Sequence, residues 1–238
     1  MQQWRETAKF VIETDSENKY PVYAHPFFEI YFNKIFSSKR KVYDSNELKQ
    51  LIDNIKKGED IPGFWICEAH FFVDNAVHEF FNKNLIKQIE KGFHYAKATL
   101  YTSYVDLKFI PYFRIPLSKL NIYGRVEVQT DEGVTMPWNV KLETPEISFR
   151  KGIYELEIEA KGSSVDKIFS RLKIYSEGIL KENIIYLTEN YQNYKITFEV
   201  LKNLKGKLAI EFDNDAYKPQ IGEDRNVWLR SIEFKRVR

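Results

Sequence analysis

The chain has 238 residues, enough for one large domain or two small ones, and its 43% hydrophobic content against 29% charged excludes a disordered tail. Its 36 Lys and Arg nearly cancel 34 Asp and Glu, and the formal charge of +2 argues against a dedicated nucleic-acid binder, which concentrates a positive excess on one face. A single cysteine, Cys67, excludes an internal disulfide and an all-cysteine zinc site.

No run reaches the roughly 18 consecutive apolar residues of a spanning helix. The longest candidate, 61–77, is interrupted by Glu68 and Asp74, so the chain as it stands reads as soluble. Aromatic residues reach 16%, with 15 Tyr and 18 Phe. Such rings fill cores and pleated surfaces, and they also stack on pyranose faces.

The first ninety or so residues alternate helical and strand patterns. Residues 4–13 read as a helix with Trp4, Ala8, Val11 and Ile12 on one stripe. A short apolar strand over 21–25 is stopped by Pro26, which opens a second helix through Phe27, Ile30, Tyr31 and Ile35. After a strand at 41–43, Asp44 or Ser45 caps a helix whose Leu48, Leu51, Ile52 and Ile55 keep the i, i+3, i+4, i+7 spacing to Gly58. A strand at 63–67 and a helix over 76–91 follow. Strands separated by helices predict βαβ units and a parallel sheet, hence a small α/β domain.

From about Phe93 the period becomes two. Strands are expected within 95–113 and at 123–130, 146–149, 154–161, 172–176, 184–187, 194–200, 207–212 and 227–235, with turns at Lys151-Gly152, Glu177-Gly178 and Lys205-Gly206. Alternation of apolar and charged residues over 153–159 and 207–212 is the mark of antiparallel sheets with one solvated face, and many short strands predict a sandwich. The expected fold is therefore α+β in two domains: an α/β parallel-sheet domain over 1–117 and an antiparallel, jelly-roll-like β-sandwich over 118–238.

Signatures of catalysis are mostly absent, with no GxGxxG, Walker loop or GxSxG. His78-Glu79 begins like a zincin helix, but Asn82 stands where the second histidine belongs. His25, His70, His78 and His94 lack metal-ligand spacing, and Cys67 reads as a buried structural thiol. His25 closes a strand, where α/β folds place ligand sites and where ordinary polar residues also sit.

One segment concentrates oxygen ligands. Residues 213–226, between two convincing strands, hold Asp213, Asp215, Glu223 and Asp224 with Asn214 and Asn226. A hairpin would bring the loop's ends together, and a hard cation such as Ca²⁺ takes six to eight oxygens of this kind. A solvated polar loop has the same composition. An EF-hand is excluded, because Tyr217 and Lys218 replace a ligand and the turn glycine.

The string Asn214-Asp215, a gap, then Asp224-Arg225-Asn226-Val227-Trp228-Leu229 resembles the Asn-Asp…Asp-Arg-Asn-Leu signature of calcium-dependent xylan-binding carbohydrate-binding modules. Residues 152–162, 191–198 and 204–212 look like strands of that family, and the resemblance covers roughly 135–238. It implies that Asp215 and Asp224 hold Ca²⁺, assisted by Asp213 and Glu223, and that the ion ligates two adjacent sugar hydroxyls. Tyr217, Asn226 and Trp228 become candidates for carbohydrate contact. Glu223, Val227 and the Lys218-Pro219 insertion depart from the commonest pattern, which leaves sugar preference and a purely structural calcium open.

Residues 3–75 look like the soluble C-terminal region of GT-C glycosyltransferases related to protein mannosyltransferases, which use lipid-phosphate sugars. The elements that carry this likeness are Trp4 to Val11, the strand at 21–25, Val42-Tyr43-Asp44-Ser45 and Phe64-Trp65-Ile66. It implies an extracytoplasmic accessory region, tethered to a membrane-embedded part of the same polypeptide, that binds a glycan or glycosylated acceptor. The family's catalytic acid lies between membrane helices, so no catalytic residue is assigned to this chain. A stand-alone calcium-dependent carbohydrate-binding protein and a structural spacer are the alternatives, followed by an independent hydrolase, for which no nucleophile or carboxylate pair can be singled out.

Overall fold

The computed structural model describes residues 2–69, 73–107 and 112–237. The chain falls into two units, Met1–Phe109 and Ile110–Arg238, and strand outweighs helix at 47% against 20%, so it is mostly β. His70 and Pro111 lie outside the described residues. No helix among the described residues is long and apolar enough to cross a membrane.

In the first unit the elements run α1 (Gln2–Thr14), β1 (Val22–Ala24), a π-helical turn (Ile30–Ile35), β2 (Val42–Tyr43), α2 (Ser45–Lys56), β3 (Gly63–Ala69), α3 (Asn75–Asn84), β4 (Ile86–Phe93) and β5 (Ala96–Thr102). Asp44 rather than Ser45 caps α2. Its Oδ1 accepts from the Asn46 and Glu47 amides at 2.8 and 3.1 Å, and Glu47 Oε2 accepts the Asp44 amide at 2.9 Å. Such a reciprocal cap is worth about 1 kcal/mol.

The sheet order is β2-β1-β3-β5-β4. Its central strand β3 is buried on both faces. Trp65 and Cys67 pack with Ala8, Val11, Phe28 and Phe32 on one side. Phe64 and Ile66 pack with Leu48, Leu51, Phe81 and Tyr101 on the other.

The expected all-parallel sheet is corrected here. β1 pairs parallel with β2 and β3, but β3–β5 and β5–β4 are antiparallel, so the sheet is mixed. The helix expected over 76–91 ends at Asn84, and β4 starts at Ile86. Only His94 and Tyr95 separate β4 from β5, and a two-residue connection can join strands only as an antiparallel hairpin.

The second unit contains β7 (Tyr112–Arg114), after β6 (Val105–Asp106) of the first, then β8 (Asn121–Tyr123), β9 (Val128–Thr130), β10 (Gly133–Met136), β11 (Val140–Glu143), β12 (Ile147–Phe149) and β13 (Gly152–Gly162). There follow β14 (Ser164–Val165), β15 (Ile168–Phe169), β16 (Arg171–Ser176), β17 (Leu180–Tyr186), β18 (Gln192–Val200) and β19 (Leu204–Gly206). The last four are β20 (Ala209–Phe212), β21 (Tyr217–Lys218), β22 (Glu223–Asp224) and β23 (Val227–Arg236).

Two antiparallel sheets dominate. One has the order β18-β13-β23-β10-β9 with β7 also on β23, and the other β17-β16-β20-β11-β8. Along β13, Tyr154, Leu156, Ile158 and Ala160 are buried while Glu155, Glu157 and Glu159 reach solvent, which is the alternation expected of a sandwich strand. In the second sheet Val140, Leu142, Leu172, Ile174, Ile210 and Phe212 form the buried face.

Candidate functional site

Residues 213–226 join β20 to β23, which lie in different sheets, so the segment crosses from one sheet to the other. The flanking strands therefore do not form the hairpin expected from sequence. A smaller hairpin forms inside the segment, where β21 pairs with β22 and Tyr217 stands opposite Asp224, Lys218 opposite Glu223. Directly opposed residues share a face, which sets the exposed Tyr217 ring beside the Asp224 carboxylate.

The segment's backbone is tied from outside. Ser163 Oγ donates to the Asp224 carbonyl at 2.5 Å and accepts the Asn226 amide at 2.7 Å. Ser170 Oγ donates to the Asn226 carbonyl at 2.6 Å. Asn139 Oδ1 accepts the Asp215 amide at 2.8 Å. The buried Arg225 guanidinium donates to the carbonyls of Ile168 at 3.0 Å, Val165 at 3.2 Å and Asn214. Asn214 bridges to β15 and β16, its Oδ1 accepting the Arg171 amide at 2.9 Å and its Nδ2 donating to the Phe169 carbonyl at 3.0 Å.

The four acids divide between two tasks. Arg171 grips Asp213 with Nε at 2.8 Å and Nη2 at 2.9 Å, and Lys173 adds a 2.6 Å contact. The Arg171 hydrogen bond, with that of Lys173, holds the Asp213 carboxyl below the ordinary aspartate value. Glu223 Oε2 accepts the Asp166 amide at 2.8 Å, and Asp166 in turn pairs with Lys218.

Asp215 differs. Its Oδ1 is buried and has no hydrogen-bond partner, and the same is true of Asn226 Oδ1. Asn226 Nδ2 donates to Asp224 Oδ2 at 3.1 Å, so the amide oxygen belongs to the same cluster as the Asp224 carboxylate. Burial, and then the Asp224 charge, push the Asp215 carboxyl above its ordinary value despite the Ala216 amide and Arg225.

Buried acceptors without donors are costly. One of these oxygens belongs to the Asp215 carboxylate, which the Asp224 charge opposes, and the other to the amide that donates to Asp224. Oxygens of this kind match the donor chemistry of a hard cation. Among the described residues no three His, Cys, Asp or Glu side chains converge into a group that could hold a metal ion, so any cation here would also need amide or carbonyl oxygens or solvent.

Asn226, a candidate for carbohydrate contact from sequence, has its side-chain oxygen buried without a partner and its amide nitrogen on Asp224. No local sequence signal gives the contributions of Asn139, Ser163 and Ser170, which come from other strands. Tyr217 is 65% exposed. Trp228 lies between buried Val227 and Leu229 and is itself half-buried on the outer sheet face, with Lys161 and Thr135 as its strand neighbours. Lys161 Nζ lies 5.0 Å from the centre of its ring and 5.1 Å from that of Tyr191, and the Arg230 guanidinium carbon lies 3.7 Å from Tyr191.

In the first unit Cys67 is fully buried, and burial pushes its thiol well up, as a structural cysteine requires. His25 stacks on Phe27 at 5.0 Å and meets Trp4 edge-on at 5.9 Å. His78 Nε2 lies 2.9 Å from Glu68 Oε1 and its Nδ1 3.0 Å from the Tyr101 hydroxyl. Lys97 reaches Glu68 Oε2 at 3.1 Å.

No curated protein matches the chain. Among solved structures, the mosquito-larvicidal Cry4Aa toxin from Bacillus thuringiensis is similar over 63% of this chain and 29% of its own, at 12% identity and TM-score 0.41. A family two carbohydrate esterase from Cellvibrio japonicus aligns over 53% of this chain and 33% of its own, at 15% identity and TM-score 0.38, so this chain spans about a third or less of these two proteins. The C-terminal CBM6 of the laminarinase LamC from Zobellia galactanivorans aligns over 52% of this chain and 99% of its own, at 15% identity and TM-score 0.38. The carbohydrate-binding module CBM36, solved with calcium and xylotriose, aligns over 52% and 99%, at 8% identity and TM-score 0.38. Residues 155–238, which contain the whole 213–226 segment, match the family model CBM60, described as a Ca-dependent, xylan-binding carbohydrate-binding module.

Proposed function

We propose that the Ile110–Arg238 unit is a calcium-dependent glycan-binding module that takes xylan-type chains. The observation that carries this reading is the pair of buried, unpartnered oxygens, Asp215 Oδ1 and Asn226 Oδ1, beside the Asp224 carboxylate. Asp215, Asp224 and Asn226 would hold the ion, and when bound Ca²⁺ supplies a Lewis-acidic centre for vicinal sugar hydroxyls. Asp213 locks the segment to β16 through Arg171 and Lys173, and Glu223 fixes the 166 turn. Arg225 holds three carbonyls and so sets the position of the residues on either side of it. Tyr217, exposed and opposite Asp224, presents a ring for the sugar's apolar face.

The test is affinity electrophoresis of the full chain in xylan gels with about 1 mM CaCl₂ and again with EDTA. Calcium-dependent retardation that Asp215→Ala/Asp224→Ala abolishes and Tyr217→Ala weakens, with folding intact, supports the reading. Retardation unchanged in the double variant assigns the loop a spacer role instead.

We also propose the wider context, an extracytoplasmic accessory region tethered to a membrane-embedded glycosyltransferase part. Its support is the pattern of residues 3–75. Coding sequence for multiple hydrophobic spans upstream of Met1 would bear it out, and a signal peptide there would favour the stand-alone carbohydrate-binding protein.

A further inference from the structure

The outer face of the β17-β16-β20-β11-β8 sheet carries a groove of about 770 Å³, within the range of about 300–1,000 Å³ of small-ligand sites. Its shape follows from register. Ala209 on β20 stands between Glu143 on β11 and Tyr175 on β16. The methyl group leaves a trough where its neighbours are long, and Gly206, covered on its own side by Ile179, lines its edge.

Above the floor Glu143 and two of the lysines are tied together. Glu143 is held by Lys141 at 3.0 Å, by the Tyr123 hydroxyl at 3.1 Å and by Lys207 at 3.5 Å. Lys141 Nζ also lies between two rings, 5.4 Å from the centre of Tyr123 and 5.8 Å from that of Tyr175. The Lys141 hydrogen bond, with that of Tyr123, holds the Glu143 carboxyl below its ordinary value, so the acceptor stays ionised at neutral pH.

The charge pattern selects a class of ligand. Three lysines and three glutamates line the groove, so it carries no net field to attract an ion of either sign. What it does present is hydrogen-bond donors and acceptors side by side, Lys141 and Lys207 with Glu143, next to the half-buried Tyr175 ring. Hydroxyl groups that both donate and accept, carried on a ring with an apolar face, satisfy such an array. The groove sits at the Ala209 end of β20, whereas the 213–226 segment leaves the Phe212 end roughly 10 Å away along the strand. None of its lining residues belongs to the proposed calcium set.

We propose that this groove is a second, calcium-independent binding site for a segment of a neutral oligosaccharide. The ligand class draws on the proposed function above, but the site does not use its metal, so the two readings fail separately. The test is calorimetric titration of the full chain carrying Asp215→Ala/Asp224→Ala, in EDTA, with xylohexaose, cellohexaose and laminarihexaose, and with trigalacturonate as the charged control. At least one neutral hexaose should bind with a dissociation constant between about 0.1 and 5 mM, and Lys141→Ala/Tyr175→Ala should weaken it at least about tenfold. Both groove side chains reach solvent, so a thermal melt will show that this variant is folded. Amide shifts on titration should centre on Gly206, Ala209 and Tyr175. No binding up to about 10 mM would overturn the proposal. So would binding indifferent to the groove substitutions, tighter binding of trigalacturonate, or shifts located elsewhere. Absence of calcium-dependent xylan binding in the unsubstituted chain, with groove binding intact, rejects only the proposed function, and the converse rejects only the groove.

Discussion

Asp215→Asn should reverse its effect on stability when calcium is added. In the metal-free protein the Asp215 carboxylate carries charge at a buried oxygen with no hydrogen-bond partner, close enough to Asp224 to be destabilised by it. Two carboxylates about 4 Å apart repel by about 1 kcal/mol in water-like surroundings and more where solvent is thinned. The isosteric amide removes that repulsion. In EDTA the variant should therefore melt at or above wild type, with a gain of roughly 0.5–1 kcal/mol. With about 1 mM CaCl₂ and a dissociation constant of about 10 μM, wild type gains roughly 2.7 kcal/mol. For a unit of this size that is an upward shift of roughly 5–10 °C. The variant, short of one anionic ligand, should gain little, so the order of the two melts inverts. Differential scanning calorimetry in EDTA, calcium and magnesium reads this directly. A variant less stable than wild type in EDTA, or one that keeps the calcium gain, would refute the reasoning, since either result gives Asp215 Oδ1 a role that needs no cation.

Arg225→Met should cost about 3–5 kcal/mol in the second unit, because three backbone carbonyls lose a charged donor together. A denaturant titration showing a loss under about 1 kcal/mol would mean that solvent replaces the guanidinium freely. Gly162→Ala should cost about 2–3 kcal/mol, since the new methyl would sit 2.7 Å from Ser170 Oγ and 3.0 Å from Leu187 Cβ, and Ser170 is held by its own hydrogen bonds. Unchanged melting would show that β13 can shift at its end.

Glu68→Gln should destabilise the first unit at neutral pH, and the difference from wild type should shrink in acid. Burial alone would raise the Glu68 carboxyl, but the hydrogen bonds from His78 and Lys97 outweigh it and the net shift is downward. A depressed carboxyl contributes stability above the unfolded-state value of about 4.3 and loses it as pH falls through the lower folded-state value. Chemical denaturation of both proteins from pH 7 to pH 3 tests this, and a difference that widens in acid contradicts it.

How much of this was legible in the sequence depends on whether the deciding partner is near in the chain. The Asp44 cap of α2 was legible because donor and acceptor lie within three residues. The alternation along β13 was legible because one buried face imposes a period of two. The hairpin of β4 and β5 was missed because apolar residues at 77, 80, 81, 85, 86 and 89 satisfy a helical stripe well enough to hide the break after Asn84.

The loop shows the same division. Its content of acids and amides was plain, but the acids could not be sorted locally. Asp213 is claimed by Arg171, 42 positions earlier, and Glu223 by the backbone of Asp166, 57 earlier. After those claims, Asp215 and Asn226 are left with buried side-chain oxygens that no donor reaches, a result of subtraction across sheets. Register likewise decides Trp228, since only its pairing with Lys161 puts the ring on the outer face rather than in the core. What such a loop can offer a cation thus depends less on how many carboxylates the segment contains than on which oxygens the surrounding strands leave without a donor.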